Sequence, residues 1–357
     1  MLSSFVQGEE IPAIDRLVTE AIQSGRMPGA VVLVGQGDRL LHRKAYGNRQ
    51  VQPDAEPMTL DTVFDLASLT KPIATATSVL MLIQEGKIDP LKNASFYLPE
   101  FGNNGKEAIT VDQLLTHTSG VIADNSIRDY QSGVHQSWEK ICQLNLVAPP
   151  GEKFIYSDVG YIVLGKLVEA VSGQPLEQYC AQHLFQPLQM NEAGYLPAES
   201  LVPRIAPTER FQGNWLRGTV HDPRARALGG VAGHAGLFST ADDLSRYARM
   251  ILNSGQLEGN QVLQPETVQA MLVSRPVPPN GIRTWGWDRQ SPYSGNRGKG
   301  MNPLAIGHGG FTGTGIWIDP ESGLYVIFLS SRLHPDGKGA VNSLIGTIGT
   351  EAVKSLP

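Results

Sequence analysis

Along the first third of the chain the spacing of apolar residues changes twice, and each spacing predicts a different element. Ile11, Ile14, Leu17, Val18, Ala21 and Ile22 recur at helical intervals and stop at Gly25, which predicts an amphipathic helix. Gly29-Ala30-Val31-Val32-Leu33-Val34-Gly35 is a short continuous apolar run and predicts a buried strand. Gln36-Gly37-Asp38-Arg39 has turn chemistry, and Leu40 to Tyr46 returns as the hairpin partner. After a polar loop over 48–62, the residues from Ile73 to Gln84 carry no charge before Glu85. A helix apolar on nearly every face is a buried one, and Gly86 is placed to end it. Pro72 has no N–H to donate and belongs in its first turn.

From about 87 to 303 the pattern is of helices and long loops. Val111 to Leu115 begins a helix that ends within 115–120, and Val159, Ile162, Val163, Leu167, Val168 and Val171 mark another with Gly173 as its stop. Leu244, Tyr247, Ala248, Ile251 and Leu252 mark a third, entered through Ser239-Thr240 and left at Gly255. Residues 276–303, rich in Pro, Gly, Ser and Asn, read as an exposed rim around Trp285 and Trp287. Strand signals return at Leu304 to His308, Thr314 to Ile318 and Leu324 to Ser330, before a closing amphipathic helix through Val341, Leu344, Ile345, Ile348 and Val353. The order predicts an α/β (α+β) fold. Residues 1–66 and 304–357 make a discontinuous α/β lobe, and 67–303 an inserted, mostly helical lobe with the rim loops of a cleft.

Composition narrows the function. With 357 residues, 41% of them hydrophobic, the chain can bury a large core. Its net charge of −5, from 29 basic and 34 acidic residues without long runs of either sign, gives no footprint for nucleic acid or for a polybasic membrane anchor. No apolar run has the length of a bilayer span, and the opening Met1 to Glu10 lacks a basic n-region and an apolar h-region, so the expected location is cytoplasmic. A mature form cut from a longer precursor is the other possibility. Cys142 and Cys180 alone make no disulfide framework and no metal knuckle, and read as small hydrophobes.

The chemistry sits just before the uncharged helix, in Asp65-Leu66-Ala67-Ser68-Leu69-Thr70-Lys71-Pro72. Ser68 stands at the helix mouth, where the dipole favours developing negative charge, and Lys71 follows at i+3 on the same side of the turn. A hydroxyl beside an amine is one of the few ways to make serine nucleophilic. By itself Ser-x-x-Lys is a weak signal, since a serine before a helix is commonly only a cap. Two further motifs follow in order, Tyr156-Ser157-Asp158 and His308-Gly309-Gly310. No serine has glycine two residues before it, which removes the Gly-x-Ser-x-Gly elbow, and Ser157-Asp158-Val159 lacks the amide of a Ser-Asp-Asn motif. His221, Asp222 and His234 lie on Gly-rich loops without metal-ligand spacing, so neither a metal nor a cofactor is expected; His117 and His234 read as structural hydrogen-bonding groups. Tyr130, Trp285, Trp287 and Tyr293 are candidates for the rim of the cleft.

The ordered set resembles the penicillin-recognising serine hydrolases, and within them the class C β-lactamase-related group of β-lactamases, D-alanyl-D-alanine carboxypeptidases, D-aminopeptidases and esterases. Leu115-Thr116-His117-Thr118-Ser119-Gly120, Pro149-Pro150-Gly151-Glu152, His234-Ala235-Gly236-Leu237-Phe238-Ser239 and Gly307 to Thr314 extend the likeness over about 11–356. The resemblance implies a β-lactamase/transpeptidase-like fold, a five-stranded antiparallel sheet flanked by the terminal helices. It implies that Ser68 is acylated, that Tyr156 relays the proton to the leaving group, and that Lys71 keeps a charge beside both. Whether Lys71 or Tyr156 is the formal base stays open. Backbone N–H groups of Ser68 and Phe311 would form the oxyanion hole, a contribution on the order of 3 kcal/mol per donor. Asp158, His308, Gly309 and Gly310 would meet the substrate, His308 as a donor, or at lower pH a positive charge, towards a carboxylate.

Two positions depart from the family pattern. Asp158 stands where asparagine is commonest. A carboxylate accepts from Lys71 but cannot donate to a substrate amide carbonyl, and Asp158 could equally cap the helix over 159–172. Gly309 replaces a frequent threonine hydroxyl. Both departures weaken an efficient β-lactamase. The expected function is a serine acyl hydrolase acting on small esters or on amides of D-amino acids and peptidoglycan-like peptides, with β-lactam hydrolysis at most a side activity. The alternatives are a true β-lactamase or D-alanyl-D-alanine carboxypeptidase, and a non-catalytic binding protein on the same fold. The partner is a small-molecule ester, amide or β-lactam, and oligomeric state is not readable.

Overall fold

The computed structural model describes residues 6–7 and 10–356, so most of the opening segment lies outside the described residues. The predicted front hairpin forms from β1 (Gly29–Gln36) and β2 (Arg39–Gln50). The late strands are β6 (Ile306–Gly310), β7 (Thr314–Asp319) and β8 (Leu324–Ser330). Front and back meet because β8 pairs antiparallel with β1, setting Phe328 opposite Val32 and Ile327 opposite Leu33.

The alternation along β1 sorts two cores. Val32 and Val34 face α1 (Pro12–Gln23) and the closing helix α5 (Asn342–Lys354), packing with Ile14, Val18, Phe328, Leu344 and Ile348. Val31 and Leu33 face the inserted helices, packing with Ile327, Leu329, Leu244 and Tyr247. A strand buried on both faces needs no polar alternation, which is why 29–34 reads as one apolar run. Truncating Phe328, fully buried in this sandwich, to alanine would cost about 3–5 kcal/mol.

The sheet is larger than the five strands expected. Three short strands, β3 (Arg275–Val277), β4 (Gly281–Arg283) and β5 (Asp288–Gln290), continue it beyond β6, within the stretch read as a rim. Two-residue strands at Val6–Gln7 and Glu56–Pro57 pair with β2. Trp285 and Trp287 are core residues, 6% and 0% exposed, because the β4–β5 turn folds them inward rather than out to solvent. Tyr130 is also buried, its hydroxyl donating to Asn125 Oδ1.

Among the inserted helices, α2 (Thr77–Gln84) is the buried one, reached through a 3₁₀ turn at Ala67–Leu69 and a π-helical turn at Lys71–Ala76. The predicted regular helix therefore opens irregularly, as helices often do at functional sites. Helices α3 (Asp158–Ser172) and α4 (Ala241–Leu252) pack beside it, and α3 ends on Gly173 in the left-handed conformation. No helix among the described residues is long and apolar enough to cross a membrane. Cys142 and Cys180 are buried free thiols.

Candidate active site

Ser68 sits on a turn that the sheet holds from behind. Ala67, the residue before it, has φ +47°, a strained backbone for a residue with a Cβ. The buried Asp65 side chain holds that turn by accepting from Ala67 N at 2.9 Å and from His221 N at 2.7 Å. Thr312 Oγ1 donates to Asp65 O and Thr314 Oγ1 to Leu66 O, tying the turn to the β6–β7 hairpin. Gly310 permits the approach: a Cβ there would lie 2.4 Å from Leu66 O and 2.1 Å from Thr314 Oγ1. Phe311, next in the chain, therefore follows a strand end anchored to the Ser68 turn.

Lys71 is fully buried. Nζ lies 2.6 Å from Asp158 Oδ1, donates to Ser68 Oγ at 3.0 Å and to His234 O at 3.1 Å. Burial pulls its pKa down, but Asp158 and then Tyr156 outweigh burial, and the net shift is upward. Lys71 is thus a buried cation paired with Asp158 that donates to Ser68 Oγ and to His234 O. Asp158 gains further from its place in the first turn of α3. It is not the cap of that helix: Ser157 Oγ accepts from Gly160 N at 2.9 Å and does that work.

His117 holds Tyr156 in place. Its carbonyl accepts from Ile155 N at 2.8 Å, its Nδ1 accepts from Ser157 N at 2.9 Å, and its ring lies 4.5 Å from the Tyr156 ring. Both neighbours of the tyrosine, and one face of its ring, thus rest on one imidazole. Burial, with Arg283, Lys71 and His308 nearby, keeps that imidazole neutral. The other face of Tyr156 meets Tyr293, ring centroids 4.6 Å apart, so of the four rim aromatics Tyr293 is the one at the cleft.

His308 is 6% exposed, and its Nδ1 is 2.8 Å from Gly309 O. A carbonyl only accepts, so Nδ1 carries the proton and Nε2 offers a lone pair. Burial, then Arg283 and Lys71, push its pKa well below the usual histidine range. The expected donor or cation at 308 is corrected to a neutral acceptor. Ser68, Tyr156, His308, Gly309, Gly310 and Phe311 line one cavity of about 390 Å³. Asp288, Asn296, Arg332 and Asn342, which the sequence motifs did not mark, line it too.

The Beta-lactamase family model matches residues 14–345. The chain belongs to the Beta-lactamase family. An N-acetylmuramyl-L-alanine amidase of Bacillus subtilis (strain 168) is 31% identical, over 91% of this chain and 82% of its own length. A protein of Escherichia coli (strain K12) provisionally named a D-alanyl-D-alanine carboxypeptidase is 29% identical, over 91% and 83%. EstCE1, a hydrolase with promiscuous acyltransferase activity, superposes with a TM-score of 0.77 at 22% identity, covering 96% of this chain and 97% of its own. The β-lactamase/transpeptidase-like fold and the membership of a hydrolase family follow.

Within this Beta-lactamase-family cleft the loop residues His234 and Asp222 lie behind Lys71. His234 Nε2 is 2.8 Å from Asp222 Oδ1, and Asp158, Asp222 and His234 bring possible ligand atoms within 4.8 Å of one another. This convergence had no signal in the spacing of three residues far apart in sequence. The three could hold a cation only in competition with the Lys71 ammonium, which already lies on Asp158.

Proposed function

We propose that the protein is a serine acyl hydrolase that works through an acyl-Ser68 intermediate. The observation that carries this reading is the buried Lys71 ammonium, 3.0 Å from Ser68 Oγ and paired with Asp158. In this reading Lys71 stays charged beside Ser68 and Tyr156 carries the proton. The Tyr156 oxygen takes the Ser68 proton as Oγ attacks the substrate carbonyl. The oxyanion forms against the N–H groups of Ser68 and Phe311. The Tyr156 hydroxyl then returns the proton to the leaving alcohol or amine, and water repeats the sequence to release the acid.

Small esters and amides of D-amino acids or peptidoglycan-like peptides are the substrates this reading favours. The relatives named as amidase and carboxypeptidase support the amide side of that range. Asp158 argues against an efficient β-lactamase: its carboxylate is spent on Lys71 and has no proton to give a substrate carbonyl. The test is intact mass after brief exposure to a penicillin, together with p-nitrophenyl ester turnover, each in wild type and Ser68→Ala. A serine-dependent adduct or turnover supports the assignment, with the variant lower by several orders of magnitude. Equal ester turnover in the two proteins would sink it.

A further inference from the structure

Gly309 has no side chain, and a neighbouring amide fills the space one would take. A Cβ at 309 would lie 2.8 Å from Asn296 Nδ2. Asn296 ends the short 3₁₀ turn Ser294–Asn296 and is 3% exposed. Its amide is held one way round. Trp317 Nε1 lies 3.1 Å from Asn296 Oδ1, and an indole N–H only donates, so Oδ1 faces the buried tryptophan. Nδ2 is then the end that reaches Gly309. Among the described residues Nδ2 has no acceptor, yet Asn296 lines the Ser68 cavity. A buried donor in that position is satisfied by whatever enters the cavity.

The loop that carries Asn296 also places it relative to the chemistry. Tyr293, three residues earlier, stacks on the Tyr156 ring, and Tyr156 returns the proton to the leaving alcohol or amine. Residues 291–296 therefore border the leaving-group side of the cavity. Charges on this side favour a neutral group. His308 is neutral. Asp288, the one acid lining the cavity, is tied to the same loop, since it accepts from Ser291 Oγ at 3.0 Å. Arg332 is the one arginine in the lining, and its Nε and Nη1 are held by Phe311 O and Gly339 O. One acid and one base leave the lining without net charge.

We propose that Asn296 Nδ2 donates to an uncharged carbonyl oxygen on the leaving group, so that the cleft prefers a leaving group bearing an amide to one bearing a free carboxylate. The proposal rests on the serine hydrolase reading above and narrows its substrates. Peptides in which the scissile bond is followed by a further amide are favoured over those in which it is followed by a free C-terminus.

The test measures kcat/KM at pH 8 for the acetate esters of lactamide, lactate and isopropanol. The three leaving alcohols differ only in carrying an amide, a carboxylate or a methyl group. Each rate is taken relative to alkaline hydrolysis of the same ester, which removes intrinsic reactivity. Wild type should favour the lactamide ester roughly tenfold over each of the others. Asn296→Asp keeps an acceptor for Trp317 Nε1 and has no N–H to give, so the advantage should fall towards one. Gly309→Ala, which pushes Nδ2 aside and leaves Trp317 untouched, should do the same, and it carries the test if the aspartate variant does not fold. A wild-type ratio near one, a preference for the lactate ester through Arg332, or an advantage that survives Asn296→Asp overturns the proposal. Ser68→Ala separates the two readings. Turnover that needs Ser68 but shows no preference removes the proposal alone, whereas no Ser68-dependent turnover of any ester removes the serine hydrolase reading and the proposal with it.

Discussion

Lys71 on the floor of the cleft and His308 on its strand-side wall are both buried, 0% and 6% exposed, yet they end in opposite charge states. Lys71 keeps its proton because Asp158 lies 2.6 Å away and outweighs the cost of burial. His308 has no carboxylate against it, meets the fields of Arg283 and Lys71, and stays neutral. Depth alone therefore does not set charge in this cleft; the partner does. The floor can hold a permanent cation beside Ser68 and Tyr156, while the wall gives a substrate acceptors and backbone.

The largest break in this comparison removes the floor's cation. Lys71→Met should lower ester turnover by roughly 10²–10⁴-fold, since Ser68 Oγ would lose the ammonium that donates to it and orients it. Asp158 would lose its partner too. The stability cost, read from Tm, should stay below the roughly 3–5 kcal/mol of a fully buried broken pair, because Asp158 is 19% exposed. Turnover within a fewfold of wild type would mean the floor does not need its charge.

Asp158→Asn sharpens the same contrast by making the floor resemble the wall. Burial would then act on Lys71 with less opposition, and its pKa should fall. The ammonium is lost as pH rises through its pKa, so the alkaline limb of the rate profile should move to lower pH. The new amide can donate to an acylamino carbonyl, and hydrolysis of an acylated β-lactam should rise, on the order of tenfold. An unmoved alkaline limb would refute the pairing argument, and no gain on the β-lactam would refute the recognition argument.

Sequence reached the floor further than the wall, for a physical reason. Ser68 and Lys71 are neighbours on one turn, and Tyr156 precedes a helix whose periodicity is plain, so local spacing carries their geometry. The wall is made by strands that meet only in the folded sheet. Trp285 and Trp287 looked like rim because Gly and Pro surround them, whereas β3 to β5 fold them into the core. The neutral state of His308 depends on its burial and on Arg283, 25 residues earlier in sequence, which together outweigh the hydrogen bond to its own neighbour's carbonyl. Arg332 stands in no motif at all. The central strands were legible for the opposite reason, since burial on both faces leaves an apolar run that nothing else explains.

A smaller effect is expected at His117, which reaches the chemistry through Tyr156. Asparagine can accept from Ser157 N and tolerates the left-handed backbone at 117, where φ is +60°. What His117→Asn loses is the ring under the tyrosine. Turnover should fall roughly tenfold with KM nearly unchanged, because the tyrosine shifts while the cavity wall stays. A rise in KM with kcat preserved would place His117 in substrate binding instead.

The smallest expected effect tests the wall directly through pH. An unfolded histidine titrates near 6.5, and native His308 lies well below that. Between those two values the unfolded chain binds a proton the native chain does not, so stability falls as pH is lowered from about 6.5. One such group contributes at most about 1.4 kcal/mol per pH unit. His308→Gln cannot titrate, so its Tm should fall less than that of wild type between pH 7 and pH 5. The slope should lessen rather than vanish, because His117 and His334 are shifted in the same direction and remain. Equal slopes would mean that native His308 takes up the proton after all. The wall would then become cationic in acid.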